Sequence, residues 1–349
     1  MMNKACQSAF LRRLAAFAAV LVVLIFLEGN RLTTDAKQGS AVVLTYPNVM
    51  NPDLNEKVNS NTHAADQLQL ITGQDNTQGA DGSDLNMEQH ELLDCLYFDR
   101  DDFAKHMSLA NQFPLETLSA GIVPHHLLAG DLIASFFLTA QKAENEIETI
   151  VVIGPNHSLG AGGIYVADFG WNTPFGVTEC DGDTVDIIIH KSSLSAVIDN
   201  ELLQQDHAVS SLVPYIKYYL PDAKVVSILL SRRVSREQEK ILAELLYHLS
   251  QEKSILVVGS VDFSHGLPPG EAMRRDEETI GSVFDRAYDV LKNMPNENLD
   301  SPETLNVLLR FMELHSSDLP ELLCHRSAFD YLRNSEIKDC TTYFVFGKT

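Results

Sequence analysis

Three apolar runs in the chain end on residues that can bind a metal or move a proton. The run ILVV at 255–258 leads through Gly259, Ser260 and Val261 to Asp262 and His265, within the stretch GSVDFSHG. The run AGIVP at 120–124 is followed by His125 and His126, and TIVVIGP at 149–155 by Asn156 and His157. A polar residue after one strand is ordinarily a turn or a helix cap. Imidazole after two strands, with carboxylate and imidazole after a third, is a different pattern. Neutral imidazole and carboxylate together make a common ligand shell for divalent transition metals. Two His with one carboxylate and open positions suit iron(II), and zinc accepts the same ligand types. His265 and His207 are imidazoles that could exchange protons near neutral pH.

These residues need elements that deliver them to one place. Strand candidates are AGIVP (120–124), TIVVIGP (149–155), GGIYVAD (162–168), KVVSILL (224–230), SILVVGSV (254–261) and TTYFVFG (341–347). Helix-like stretches alternate with them, among them 125–143, 210–220, 236–251 and 276–294. That order predicts an α/β fold with a mostly parallel or mixed central sheet flanked by helices, binding its ligand at the carboxyl ends of the strands. Asp262 and His265 stand at i and i+3, so one helical turn after the strand would place both on one face.

The composition, 45% hydrophobic and 21% charged in 349 residues, is that of a globular protein. A formal net charge of −22 argues against nucleic acid, which is gripped by clustered Lys and Arg. The five cysteines, Cys6, Cys95, Cys180, Cys324 and Cys340, form no CxxC, so neither a zinc ribbon nor a disulfide framework is indicated. Near the amino terminus Lys4, Arg12 and Arg13 precede the apolar run 14–27, which has the layout of a secretory signal or signal anchor. No A-x-A site directly follows the run, which favours an uncleaved anchor with its basic end inside. The expected organisation is a signal anchor or signal peptide over 1–28, a polar flexible linker over 29–87, and a folded domain over 88–349. The expected location is the extracytoplasmic side of a bacterial membrane, in the cell envelope or secreted.

Five motifs, VPHHLLAG (123–130), IGPNHS (153–158), DHAVSSLVPY (206–215), GSVDFSH (259–265) and LCHRSA (323–328), occur in the order and spacing of the Memo family. The chain resembles that family, also known as protein B of the AmmeMemoRadiSam system, over about 121–349. The resemblance implies a fold similar to class III, LigB-type, extradiol dioxygenases, which hold a non-haem iron with two His and one Glu. It places His125, His157 and Cys324 at the metal-ligand positions, with Asp262 and His265 beside them. Ser210 and Leu212 stand where the family often carries an acid and a histidine. Asp206 replaces the common Glu before His207, and His325 next to Cys324 offers a second group that could turn to a metal. The implied cofactor is a redox metal, iron or copper, with zinc as the alternative. The implied function is a metal-binding, redox-active or dioxygenase-like enzyme. In it His265 or His207 moves protons, and Asp262 orients His265 or supplies an oxygen ligand. The competing reading is a non-catalytic module on a membrane-anchored stalk that holds a small molecule or peptide in the same pocket.

Overall fold

The computed structural model describes residues 91–158, 162–333 and 338–349. The expected anchor (1–28) and linker (29–87) lie outside the described residues.

Eight strands form the main sheet. In chain order they are β2 (Ala120–Val123), β3 (Thr149–Pro155), β4 (Ile164–Val166), β7 (Val197–Ile198), β8 (Lys224–Leu230), β9 (Ile255–Ser260), β10 (Glu321–Ser327) and β11 (Thr342–Lys348). Their spatial order is β10-β11-β2-β9-β3-β8-β4-β7. A small sheet pairs β5 (Gly170–Thr173) with β1 (Leu92–Asp94) and β6 (Gly176–Thr178). The four central strands β2, β9, β3 and β8 are parallel, while β11 pairs antiparallel with β2, β10 with β11, and β4 with β8. The sheet is therefore mixed, with a parallel centre.

The centre is buried on both faces, so its strands are continuously apolar. Along β3, Val151 and Ile153 enter one core with helices Arg236–Ser250 and Pro302–His315. Ile150 and Val152 enter the other with helices Gly130–Lys142 and Val213–Tyr219. Burying each such side chain contributes about 1.5–3 kcal/mol. The helix Arg236–Ser250 starts at a capping box in which Ser235 and Gln238 satisfy each other's backbone N–H groups.

One strand was not expected from the sequence, and one local expectation fails. β10, which carries LCHRSA, is a strand at the sheet edge; its half-exposed polar residues give no apolar run to read. No helical turn follows β9. Val261 N–H donates to Val123 O, Phe263 N–H to Thr342 O and His265 N–H to Glu297 O, so neighbouring segments take the bonds that a helix would need.

Candidate metal centre

β2, β9 and β3 are adjacent, and their carboxyl ends open into a cavity of about 600 Å³ lined by His125, His157, His207, Asp262 and His265 among others. His125 follows β2 and is 3% exposed. Its Nδ1 lies 3.0 Å from Ser260 Oγ at the end of β9. The Ser260 hydroxyl hydrogen is committed to Ala208 O, so Ser260 accepts from His125 Nδ1–H and the lone pair falls on Nε2. Burial, followed by the neighbouring His157 and His207, holds His125 well below the usual imidazole range, which keeps it neutral.

His157 follows β3 by two residues. Its backbone N–H donates to Asp206 Oδ2 at 2.8 Å, and its Nδ1 stands 2.9 Å from Asp206 Oδ1. A carboxylate on Nδ1 fixes the ring and leaves Nε2 for a ligand. Asp206 also caps the short helix His207–Ser210 through Ala208 N–H at 2.9 Å. Burial would raise its carboxyl, but the hydrogen bonds from His157 and Ala208 outweigh that and hold it below the ordinary range. The same helix starts at His207, whose ring stacks on His157 at 4.1 Å between centroids. Burial, then the adjacent His157, lowers His207 as well. One nitrogen from each of His125, His157 and His207 lies within 4.8 Å of the others. Three ring nitrogens this close, two of them on rings held neutral, fit a divalent transition metal.

Behind His125 stand two buried carboxyls. Asp262 Oδ1 accepts from His125 N–H at 3.2 Å, while Asp300 Oδ2 lies 3.2 Å and Asp262 Oδ2 3.7 Å from His125 Nε2. Burial, then the charge of Asp262, pushes Asp300 well above the usual carboxylate range, and burial raises Asp262 too. The Nε2 lone pair of His125 thus faces both these carboxyls and the cavity. Asp262 bonds to the His125 backbone, where the expectation had it orienting His265 or supplying an oxygen ligand. His265 Nδ1 donates to its own neighbour Phe263 O at 3.0 Å, and its Nε2 accepts from Asn296 Nδ2 at 2.7 Å.

Cys324, expected as a ligand, is placed differently. It sits opposite Val345 on β10 and packs into the core that includes the helix Gly130–Lys142. Burial raises its thiol, which disfavours the thiolate needed for ligation. His325 turns to Asp276 at 3.0 Å and stacks on Phe344 at 4.0 Å. Among the described residues the cluster able to hold a metal is His125, His157 and His207, so the third nitrogen comes from a residue expected to move protons. Asp300 and Asn296 carry no motif that sequence reasoning could use, and Ser260, though inside GSVDFSH, gave no sign of its bond to His125. Asp206 had a signal, as the acid directly before His207.

A profile for the Memo-like protein family matches residues 100–335, more than half of the chain. Among curated relatives, a MEMO1 family protein from Pyrobaculum arsenaticum is 29% identical over 176 residues, covering 48% of this chain and 61% of its own length. A second, from Methanopyrus kandleri, is 25% identical over 176 residues, covering 48% of this chain and 60% of its own. The matched part of this chain spans about three fifths of those relatives' length. A solved structure of an uncharacterized protein from Escherichia coli K12 has a TM-score of 0.46 and 12% identity, and covers 66% of this chain and 100% of its own.

Proposed function

Because the chain belongs to the Memo-like protein family, we propose that it is a metal-dependent, redox-active protein in which His125, His157 and His207 hold one divalent ion beneath a small-molecule cavity. The observation that carries this reading is the convergence of three ring nitrogens within 4.8 Å, two of them on rings anchored through Nδ1 by Ser260 and Asp206. Imidazole donors suit iron and copper as well as zinc, and a bound iron or copper would supply Lewis-acid and one-electron redox chemistry at its open positions.

The chain's own groups divide the remaining work. Asp206 orients His157, while Ser260 and Asp262 orient His125. His265 presents a lone pair at Nε2, screened by Asn296, and takes a proton from substrate when that contact opens. An oxidation related to that of the class III extradiol dioxygenases is the specific form of this proposal, and the location proposed for it is the outer side of a membrane, on the 1–28 anchor.

Anaerobic titration of the full-length chain with cobalt(II) and iron(II) tests it. One equivalent should bind. His157→Ala and His207→Ala should each weaken binding about 10-fold or more, while Cys324→Ser and, on the helix Arg236–Ser250, His248→Ala should leave it unchanged. A chain that takes up no stoichiometric metal from either titration is a binding module, and the enzyme reading then fails.

A further inference from the structure

We infer that the cavity takes an anionic small molecule, whose carboxylate or phosphate is held by Arg233 while its other end reaches the three imidazoles. The inference rests on the metal-centre reading only for what lies at that other end.

The end of β8 delivers Ser231, Arg232 and Arg233 to the cavity wall. The two arginines differ in what they do. Arg232 donates to Met294 O at 2.6 Å and Leu299 O at 3.5 Å, which ties down the segment carrying Asn296 and Asp300. Arg232 is thus a positioning residue. Among the described residues, the Arg233 guanidinium has no carboxylate, carbonyl or ring partner. The exposed guanidinium is thus available to a ligand in the cavity. The two acids of the cavity, Asp262 and Asp300, are 7% and 9% exposed and face His125.

The stem of Arg233 is bedded against Gly162, where a Cβ would stand 2.5 Å from Arg233 Cδ. The missing side chain at 162 is therefore what lets the arginine lie along the wall. A guanidinium matches carboxylate and phosphate with two parallel hydrogen bonds, so an oxyanion is the ligand its geometry favours. It also answers a problem set by the whole chain. A net charge of −22 repels an approaching anion, and a local cation at the mouth reverses that field where the ligand enters.

The probes are benzoate, phenyl phosphate and the neutral benzamide, titrated calorimetrically into the full-length chain with and without cobalt(II). At least one anion should bind about 10-fold or more tighter than benzamide, and the tighter of the two identifies the oxyanion. Arg233→Gln should erase that preference with cobalt(II) affinity unchanged, whereas Arg274→Gln, at an exposed helix pair with Glu271 and Glu278, should keep it. His157→Ala should lose cobalt(II) and keep the preference. Benzamide binding as tightly as both anions, or a preference that survives Arg233→Gln, overturns the inference. Failure of the parent chain to bind cobalt(II), with the preference intact, defeats the metal reading alone.

Discussion

Asp206 does three jobs with one carboxylate: it accepts from His157 N–H, faces His157 Nδ1 and caps the helix that begins at His207. Two of the three candidate ligands therefore depend on it. Asparagine has the same shape but lacks the charge, and its Nδ2 would present hydrogens to at least one of these N–H groups. Asp206→Asn should lower cobalt(II) affinity about 10- to 100-fold, as loss of a partner behind a metal-binding His does. The variant should still unfold cooperatively, because the cores on either face of the sheet do not include this carboxylate. An affinity equal to that of the parent chain would show that the ring needs no anchor. His125 and His157 were legible in the sequence because each stands within two residues of the end of an apolar run. Asp300 was not: it belongs to a loop 38 residues beyond Asp262, and reciprocal bonds with Asp262, together with Arg232 on the preceding segment, bring it to His125. Cys324 was placed by family resemblance, and the structure sets it opposite Val345 on β10.

The elements that carry the site were the more readable part, because burial on both faces makes a parallel strand a continuous apolar run. β3 and β8 begin and end where the sequence puts them. β10 was invisible for the opposite reason, since an edge strand needs no apolar run. The way elements meet was also hidden, and Gly154 shows why. It lies in β3 below His157, and a Cβ there would stand 2.7 Å from Ala208 Cβ, so the helix His207–Ser210 can rest on the strand only because position 154 has no side chain. A sequence shows this glycine as one small residue in a strand. Gly154→Ala should push the helix off β3 and carry His207 away from His157. Cobalt(II) affinity should then fall about 10-fold or more, with a stability loss of about 1–3 kcal/mol from overpacking. Thermal unfolding beside metal titration checks it. Unchanged affinity in a destabilised protein would separate the packing role of Gly154 from the site.

At the scale of the molecule the question is which compartment the cavity faces, and the cysteines bear on it. Among the described residues Cys95, Cys180, Cys324 and Cys340 are all free. Unpaired thiols are a liability in an oxidising compartment, because the thiolate is the form that reacts. Burial, with Asp94 beside one and Asp181 beside the other, pushes Cys95 and Cys180 up to about 12, and burial raises Cys324 as well. Each raised thiol has less thiolate to react with than an unperturbed one. Among the described residues no helix is long and apolar enough to cross a membrane, and the proposed anchor is the run 14–27 with Lys4, Arg12 and Arg13 before it. Two fusions after Thr349 test the orientation. Alkaline phosphatase, which needs disulfides to fold, should be active there, and a reporter that works only in the cytoplasm should be silent. In the same cells a thiol reagent applied without denaturant should label Cys95 and Cys180 slowly, and denaturation should make both react at once. The reverse pattern of reporter activity would put the metal centre in the cytoplasm and leave the basic and apolar amino terminus without the role proposed for it.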